Sequence, residues 1–299
     1  MNRFISLFSM LTILLSVSAV APVQTAEYGR IDRTYIYSPQ MGDTITVDTW
    51  VPDGYDKSTE RYPVIYMHDG QNLFDANTTW NHQAWEMDRA MGRLIAADSI
   101  SPAIIVGIHS FQDTRVADLM PRKAVSGTPL EATLDMVKLK GRRVRGDEYA
   151  SFIVETLKPA IDSTYRTLPD APNTTVMGSS MGGLMSIYAL CEYPRVFGNA
   201  LCLSTHWVGS PDVADQFSDA MYRYIDAKVP AEGHRLYFDH GDATIDAYYG
   251  PHEERILALL RHKGYGHDRL KSLYAPGAAH CEDAWAARVH IPLIFLLGK

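Results

Sequence analysis

Gly178-Ser179-Ser180-Met181-Gly182 sets Ser180 between two glycines, each two positions away. A strand-forming run, Thr174-Thr175-Val176, leads into it, and an apolar helical run, Leu184 to Leu190, leads out. A tight strand-to-helix turn leaves no room for Cβ atoms beside the serine, hence glycine at both flanks. Such a turn holds the Ser180 hydroxyl above a sheet at a helix N-terminus, where a nucleophile belongs. A hydroxyl is a weak nucleophile until a base takes its proton, so a histidine, and a carboxylate to orient it, should follow in the chain.

Eleven histidines are available. His280 lies in LYAPGAAHCEDAW, after a strand at Leu270–Tyr274 and before the last helix, in a small-residue loop that lets an imidazole reach inward. His267 precedes that strand, on the wrong side of a sheet, and His290 falls inside the last helix. The acid is sought in LYFDHGDATIDAYYG. Asp239 still belongs to the strand there, Asp242 and Asp246 stand in the loop beyond it, and Asp246 is preferred with Asp242 as the alternative. An oxyanion at the substrate carbonyl needs two N–H donors. One is Met181, the residue after the nucleophile, and the other is Gln71 in the loop HDGQNLFD, with Gly70 allowing the backbone to turn. His206 and Trp207 follow a strand at Ala200–Leu203 and read either as substrate-pocket walls or, for Trp207, as a cap on the core.

The elements that must carry these loops are legible from hydrophobic period. Arg33–Pro52 alternates around Gly42-Asp43 and reads as a hairpin. Val64–Asp69, Ile104–Ile108, Thr174–Met177, Ala200–Leu203, Leu236–Asp239 and Leu270–Tyr274 read as buried strands. Helices are expected around Trp85–Ala97, over Tyr149–Tyr165 with Pro159 as a kink, and at Leu184–Glu192, Glu253–Lys263 and Asp283–Leu297. Buried strands alternating with helices after an antiparallel hairpin give a mostly parallel sheet covered on both faces. Ligands then sit at the carboxyl ends of the strands, which is where the residues named above fall.

Composition narrows the function classes. The chain has 299 residues, 46% of them apolar, with 28 basic against 35 acidic side chains and a net charge of −7. That balance argues against polyanion binding as the main task. Residues 1–26 carry one charge, Arg3, an apolar run from Phe4 to Leu15 and small residues beyond, the pattern of a secretory signal peptide. Export to the periplasm or the outside of the cell is therefore expected, with residues 27–299 as a single domain. Cys191, Cys202 and Cys281 are odd in number, so at most one disulfide can form within the chain. No paired metal-ligand spacing is present, and no metal is expected.

From about Tyr62 to Leu297 the chain resembles the putative-esterase family of α/β-hydrolases, which includes enterochelin esterase-like, feruloyl esterase-like and S-formylglutathione hydrolase-like members. VIYMHDGQNLFD, ETLKPAIDSTYRT, MGSSMGGLMSIYAL, LCLSTHW, YFDHGDATIDAYY and GAAHCEDAWAARVHIPLIFLL carry the likeness. The resemblance implies the α/β-hydrolase fold, a Ser180–Asp246–His280 triad, no cofactor, and hydrolysis of small-molecule or glycan-linked carboxylic esters (acetyl, feruloyl, siderophore or similar) through an acyl-enzyme. It favours Asp246 because relatives look like DHG-x-x-T-L-D in this stretch, with Ile245 here for Leu. Asp242 is an added acid that the pattern lacks. Two alternatives stand beside hydrolysis: acyl transfer to a sugar or lipid hydroxyl, and a catalytically silent ligand-binding homologue. Residues 112–146 are the least patterned stretch and form a candidate lid, whose Arg142, Arg143 and Arg145 would attract anionic substrates.

Overall fold

In the computed structural model, residues 22–24, 26–111, 113–130, 143–209 and 213–299 are described. Nine strands form one sheet: β1 (Pro22–Gln24), β2 (Arg30–Ser38), β3 (Asp43–Val51), β4 (Val64–His68), β5 (Ile104–Ile108), β6 (Thr174–Ser179), β7 (Asn199–Leu203), β8 (Arg235–His240) and β9 (Leu270–Tyr274). Their order is β1-β2-β3-β5-β4-β6-β7-β8-β9. The first three strands and the β3–β5 pair are antiparallel, and every pair from β5 through β9 is parallel. This is the mostly parallel α/β-hydrolase sheet, entered through an N-terminal antiparallel hairpin.

The apolar runs in β4 to β8 are continuous because both faces of the sheet are covered. Side chains alternate between two cores. Val64, Tyr66, Ile104, Val106, Val176 and Phe238 enter one, packed beneath the helices that include Met181–Glu192 and Ala214–Lys228. Ile65, Met67, Ile105, Met177, Leu201 and Tyr237 enter the other, against Met87–Ala96, Glu282–Arg288 and His290–Leu297. Each aliphatic side chain so buried contributes roughly 1.5–3 kcal/mol. A one-residue slip of any central strand would exchange its two faces, so the register is strongly fixed.

Two helices depart from their simplest reading. Gly146–Phe152 runs through a π-helical turn, Ile153–Leu157, into Lys158–Thr164. Pro159 has no N–H for the preceding turn, and the wide turn just before it absorbs the fault. The last helix is two, Glu282–Arg288 and His290–Leu297, with Pro292 in the first turn of the second, where a missing N–H is tolerated. The expected signal segment lies outside the described residues, apart from Pro22–Gln24 and Ala26. Among the described residues no helix is long and apolar enough to cross a membrane.

Candidate active site

Ser180 joins β6 to the Met181–Glu192 helix with φ 57° and ψ −122°, a conformation that L-residues adopt only under constraint, at about 1–3 kcal/mol. The constraint is visible. The Ser180 N–H donates to Leu203 O at 3.0 Å, and its carbonyl accepts from His206 N at 3.2 Å. A Cβ on Gly178 would lie 2.9 Å from the Gly182 carbonyl carbon and 3.0 Å from His68 Cδ2, and one on Gly182 would lie 3.1 Å from His68 Cβ. Both flanking glycines therefore answer to packing beneath the turn.

The parallel strands end on one edge of the sheet, and their exits converge. After β8, a 3-10 turn at Thr244–Tyr248 carries Asp246, which is buried. After β9, the loop carries His280, whose Nδ1 is 2.6 Å from Asp246 Oδ1. The other carboxylate oxygen of Asp246 accepts from Ser204 Oγ at 2.6 Å and Gly241 N at 2.8 Å. Burial alone would raise the Asp246 pKa, but the bonds from His280, Ser204 and Gly241 outweigh it and hold the carboxyl below its ordinary range. Thr244, in the left-handed region at φ 56°, accepts the His280 N–H on its hydroxyl at 2.9 Å, so the acid turn and the histidine loop are tied at a second point. Asp242 is elsewhere: exposed, it accepts from Tyr274 Oη and Gly277 N, both at 2.6 Å. It braces the histidine loop from outside without touching the imidazole.

Ser180 and His280 line one cavity of about 600 Å³. Its apolar wall is Trp80, Trp85 and Trp285, the last two stacked with ring centres 5.5 Å apart. The His280 and Trp285 rings meet nearly at right angles, 5.0 Å between centroids. Met181 opens its helix, so its N–H has no partner within that helix. Gln71 lines the cavity in the 3-10 turn Gly70–Asn72, its side chain pinned by two 3.0 Å bonds to Ser110. The turn itself departs from expectation. Asp69, not Gly70, takes the left-handed conformation, at φ 57°. Gly70 is required for a different reason, since a Cβ there would lie 2.5 Å from the Gly107 carbonyl carbon on β5.

His206 and Trp207 are not on that cavity wall. Trp207 is fully buried against Phe238, with centroids 6.0 Å apart, and is a core residue. His206 Nε2 donates to Gly209 O at 2.9 Å, and in the neutral ring Nδ1 then accepts from Tyr249 Oη at 2.8 Å. Both rings brace the loop after β7.

The model of a family described as putative esterase matches residues 38–246. The chain belongs to the putative esterase family. A curated relative, the endo-1,4-β-xylanase/feruloyl esterase of Xylanibacter ruminicola, is 26% identical over 175 residues, 57% of this chain and 21% of the relative, so the chain spans about a fifth of that protein. Among solved structures, an IroE-like serine hydrolase from Shewanella oneidensis superposes with TM-score 0.66 at 20% identity, covering 89% of this chain and 79% of the other. The enterobactin esterase of Shigella flexneri gives 0.67 at 19%, covering 92% and 60%. These likenesses show a shared fold.

The candidate lid is two short helices, Arg115–Asp118 and Arg122–Val125, leading toward residues outside the described set, Arg142 among them. Its described cations face acids. Arg145 bonds Asp118 at 2.7 Å, Arg143 bonds Glu148, and Lys123 bonds Glu192. Arg115 alone of these lines the cavity, and its guanidinium grips both oxygens of Asp69 at 2.6 and 2.7 Å. A free positive field from Arg143 and Arg145 is thus not what the segment presents. The described cysteines are unbridged: Cys191 and Cys202 are buried with their thiols pushed up by burial, and Cys281 lines the cavity.

Beneath the elbow, the strand-to-helix turn at Ser180, His68 is 2% exposed, with Nδ1 2.8 Å from Tyr149 Oη and Nε2 unpartnered. Burial, only partly opposed by the Asp69 carboxylate and slightly aided by Arg115, takes its pKa from 6.5 to about 4. The folded state holds it neutral while the unfolded chain protonates near 6.5. Its contribution is complete above that pH, is lost as the pH falls toward 4, and is constant below, a change of about 3 kcal/mol. Urea unfolding of the wild type and His68→Asn should show the stability gap between them shrinking by about that amount from pH 7 to pH 4. A constant gap would refute the buried neutral imidazole.

Proposed function

We propose that the protein is a serine carboxylesterase working through an acyl-enzyme. The observation that carries this reading is one cavity lined by both Ser180 and a His280 whose Nδ1 is bonded to Asp246. With Nδ1–H committed to the carboxylate, Nε2 is the nitrogen with a lone pair to accept a proton. Ser180 Oγ attacks the ester carbonyl as its proton passes to Nε2, and Asp246 stabilises the imidazolium. The N–H groups of Met181 and Gln71 hold the oxyanion. His280 then protonates the departing alcohol, and water repeats the cycle to release the acid and regenerate Ser180.

Three indoles around the cavity support esters with a flat apolar acyl group, and ferulate, in the name of the Xylanibacter ruminicola relative, is of that kind. The signal-like residues 1–26 support export to the periplasm or the outside of the cell. A fluorophosphonate probe should add once per chain, at Ser180, and the same protein should hydrolyse p-nitrophenyl acetate with a burst. A protein that neither takes the probe nor turns over a panel of acetyl, feruloyl and siderophore esters would overturn the reading.

A further inference from the structure

We propose that Ser204, held by Arg288 and Trp285, is a positioning residue that fixes the orientation of the Asp246 carboxylate toward His280. The inference rests on the esterase reading given above. Ser204 follows β7 and is fully buried, as is Asp239 at the end of β8. Its hydroxyl has one proton and two lone pairs. Trp285 Nε1 donates to it at 2.9 Å and Arg288 Nη2 at 2.8 Å. Neither group can accept, so both lone pairs are taken and the single proton is directed to Asp246 Oδ2, 2.6 Å away.

The clamp is itself anchored. Arg288 bonds both oxygens of Asp239, Nε to Oδ2 at 3.0 Å and Nη2 to Oδ1 at 2.9 Å. The Ser204 N–H donates to Asp239 O at 2.7 Å and lies 3.1 Å from Asp239 Oδ1. These bonds hold Ser204 at φ 40°, in the left-handed region that a serine seldom adopts. The chain Asp239–Arg288–Ser204–Asp246 thus links the ends of β7 and β8 to the last helices. Trp285 belongs both to this chain and to the wall beneath His280, so the parts that orient the acid and the base share one side chain.

Ser204→Ala keeps the backbone strain and removes the hydroxyl, and Ser204→Gly removes both. If the hydroxyl positions Asp246, both variants lose roughly 10- to 100-fold in kcat, with KM within about twofold. The far-downfield proton resonance of the His280 Nδ1–H shared with Asp246 should broaden or shift in both. That resonance needs no substrate. A wild type without turnover whose resonance still responds to the variants would therefore sink the esterase reading and leave the positioning role standing. Unchanged kcat and an unchanged resonance in either folded variant would overturn the proposal. So would failure of both variants to fold, which would assign the hydroxyl to stability.

Discussion

Exchanging Ser180 for alanine should lower kcat for p-nitrophenyl acetate by about 10⁴- to 10⁶-fold, abolish fluorophosphonate labelling, and leave the melting temperature within a few degrees. The backbone at this position is strained whichever side chain it carries, because φ 57° suits neither serine nor alanine. The strain is maintained by the bonds to Leu203 and His206 and by the packing of Gly178 and Gly182 on His68. Alanine changes none of these contacts. What it removes is the only atom in the proposed sequence able to form the acyl-enzyme. The backbone donors and the indole-lined cavity would remain, so weak substrate binding should persist. A burst of alcohol release from the alanine variant would mean that another group accepts the acyl chain. Cys281, on the same cavity wall, would be the first to test.

The elbow was readable because its requirement is local. Two glycines, a strand before and a helix after are consequences of one tight turn, and all fall within a dozen residues of Ser180. His280 was readable for a related reason: a loop between an edge strand and a terminal helix is the last exit from the sheet. The positioning groups carry no such signature. Ser204 lies in LCLSTHW, where nothing local marks its hydroxyl as a partner of Asp246, 42 residues along the chain. Arg288, four residues before Pro292, reads as an ordinary helix-surface charge until the fold buries it on Asp239. Gly70 reads as a conformational need, but the conformation falls on Asp69 and the glycine serves a close approach to β5 that sequence proximity does not reveal. Trp207 illustrates the same limit, because a strand-end tryptophan has the same local sequence whether it faces a pocket or the core.

One helix carries only a weak signal in the sequence. Ala214–Lys228 buries Phe217, Met221, Tyr224 and Ile225, spaced by four, three and one. Asp219 and Arg223 lie between them, Asp215 and Asp226 flank them, and the apolar stripe is narrow against these charges. Packing on the helix of the elbow side, rather than intrinsic propensity, decides such a segment.

The choice between the two loop acids turns on three-dimensional placement, and it yields a sharp contrast. Asp246→Asn should lower kcat by about 10⁴-fold, while Asp242→Asn should stay within about threefold of wild type. The Oδ2 side of Asp246 faces two donors, the Gly241 N–H and the Ser204 hydroxyl, whose lone pairs are already filled by Trp285 and Arg288. An asparagine cannot turn its NH₂ toward them. Its carbonyl oxygen must take that side, leaving the NH₂ against His280 Nδ1. The imidazole then has to accept there and carry its proton on Nε2, the tautomer that cannot take a proton from Ser180. Asp242 meets only an exposed tyrosine hydroxyl and the Gly277 N–H, and an asparagine carbonyl can still accept from either. Steady-state kinetics on the two single variants decide the matter: a larger loss from Asp242→Asn than from Asp246→Asn would transfer the acid's role and with it the whole orientation of the imidazole.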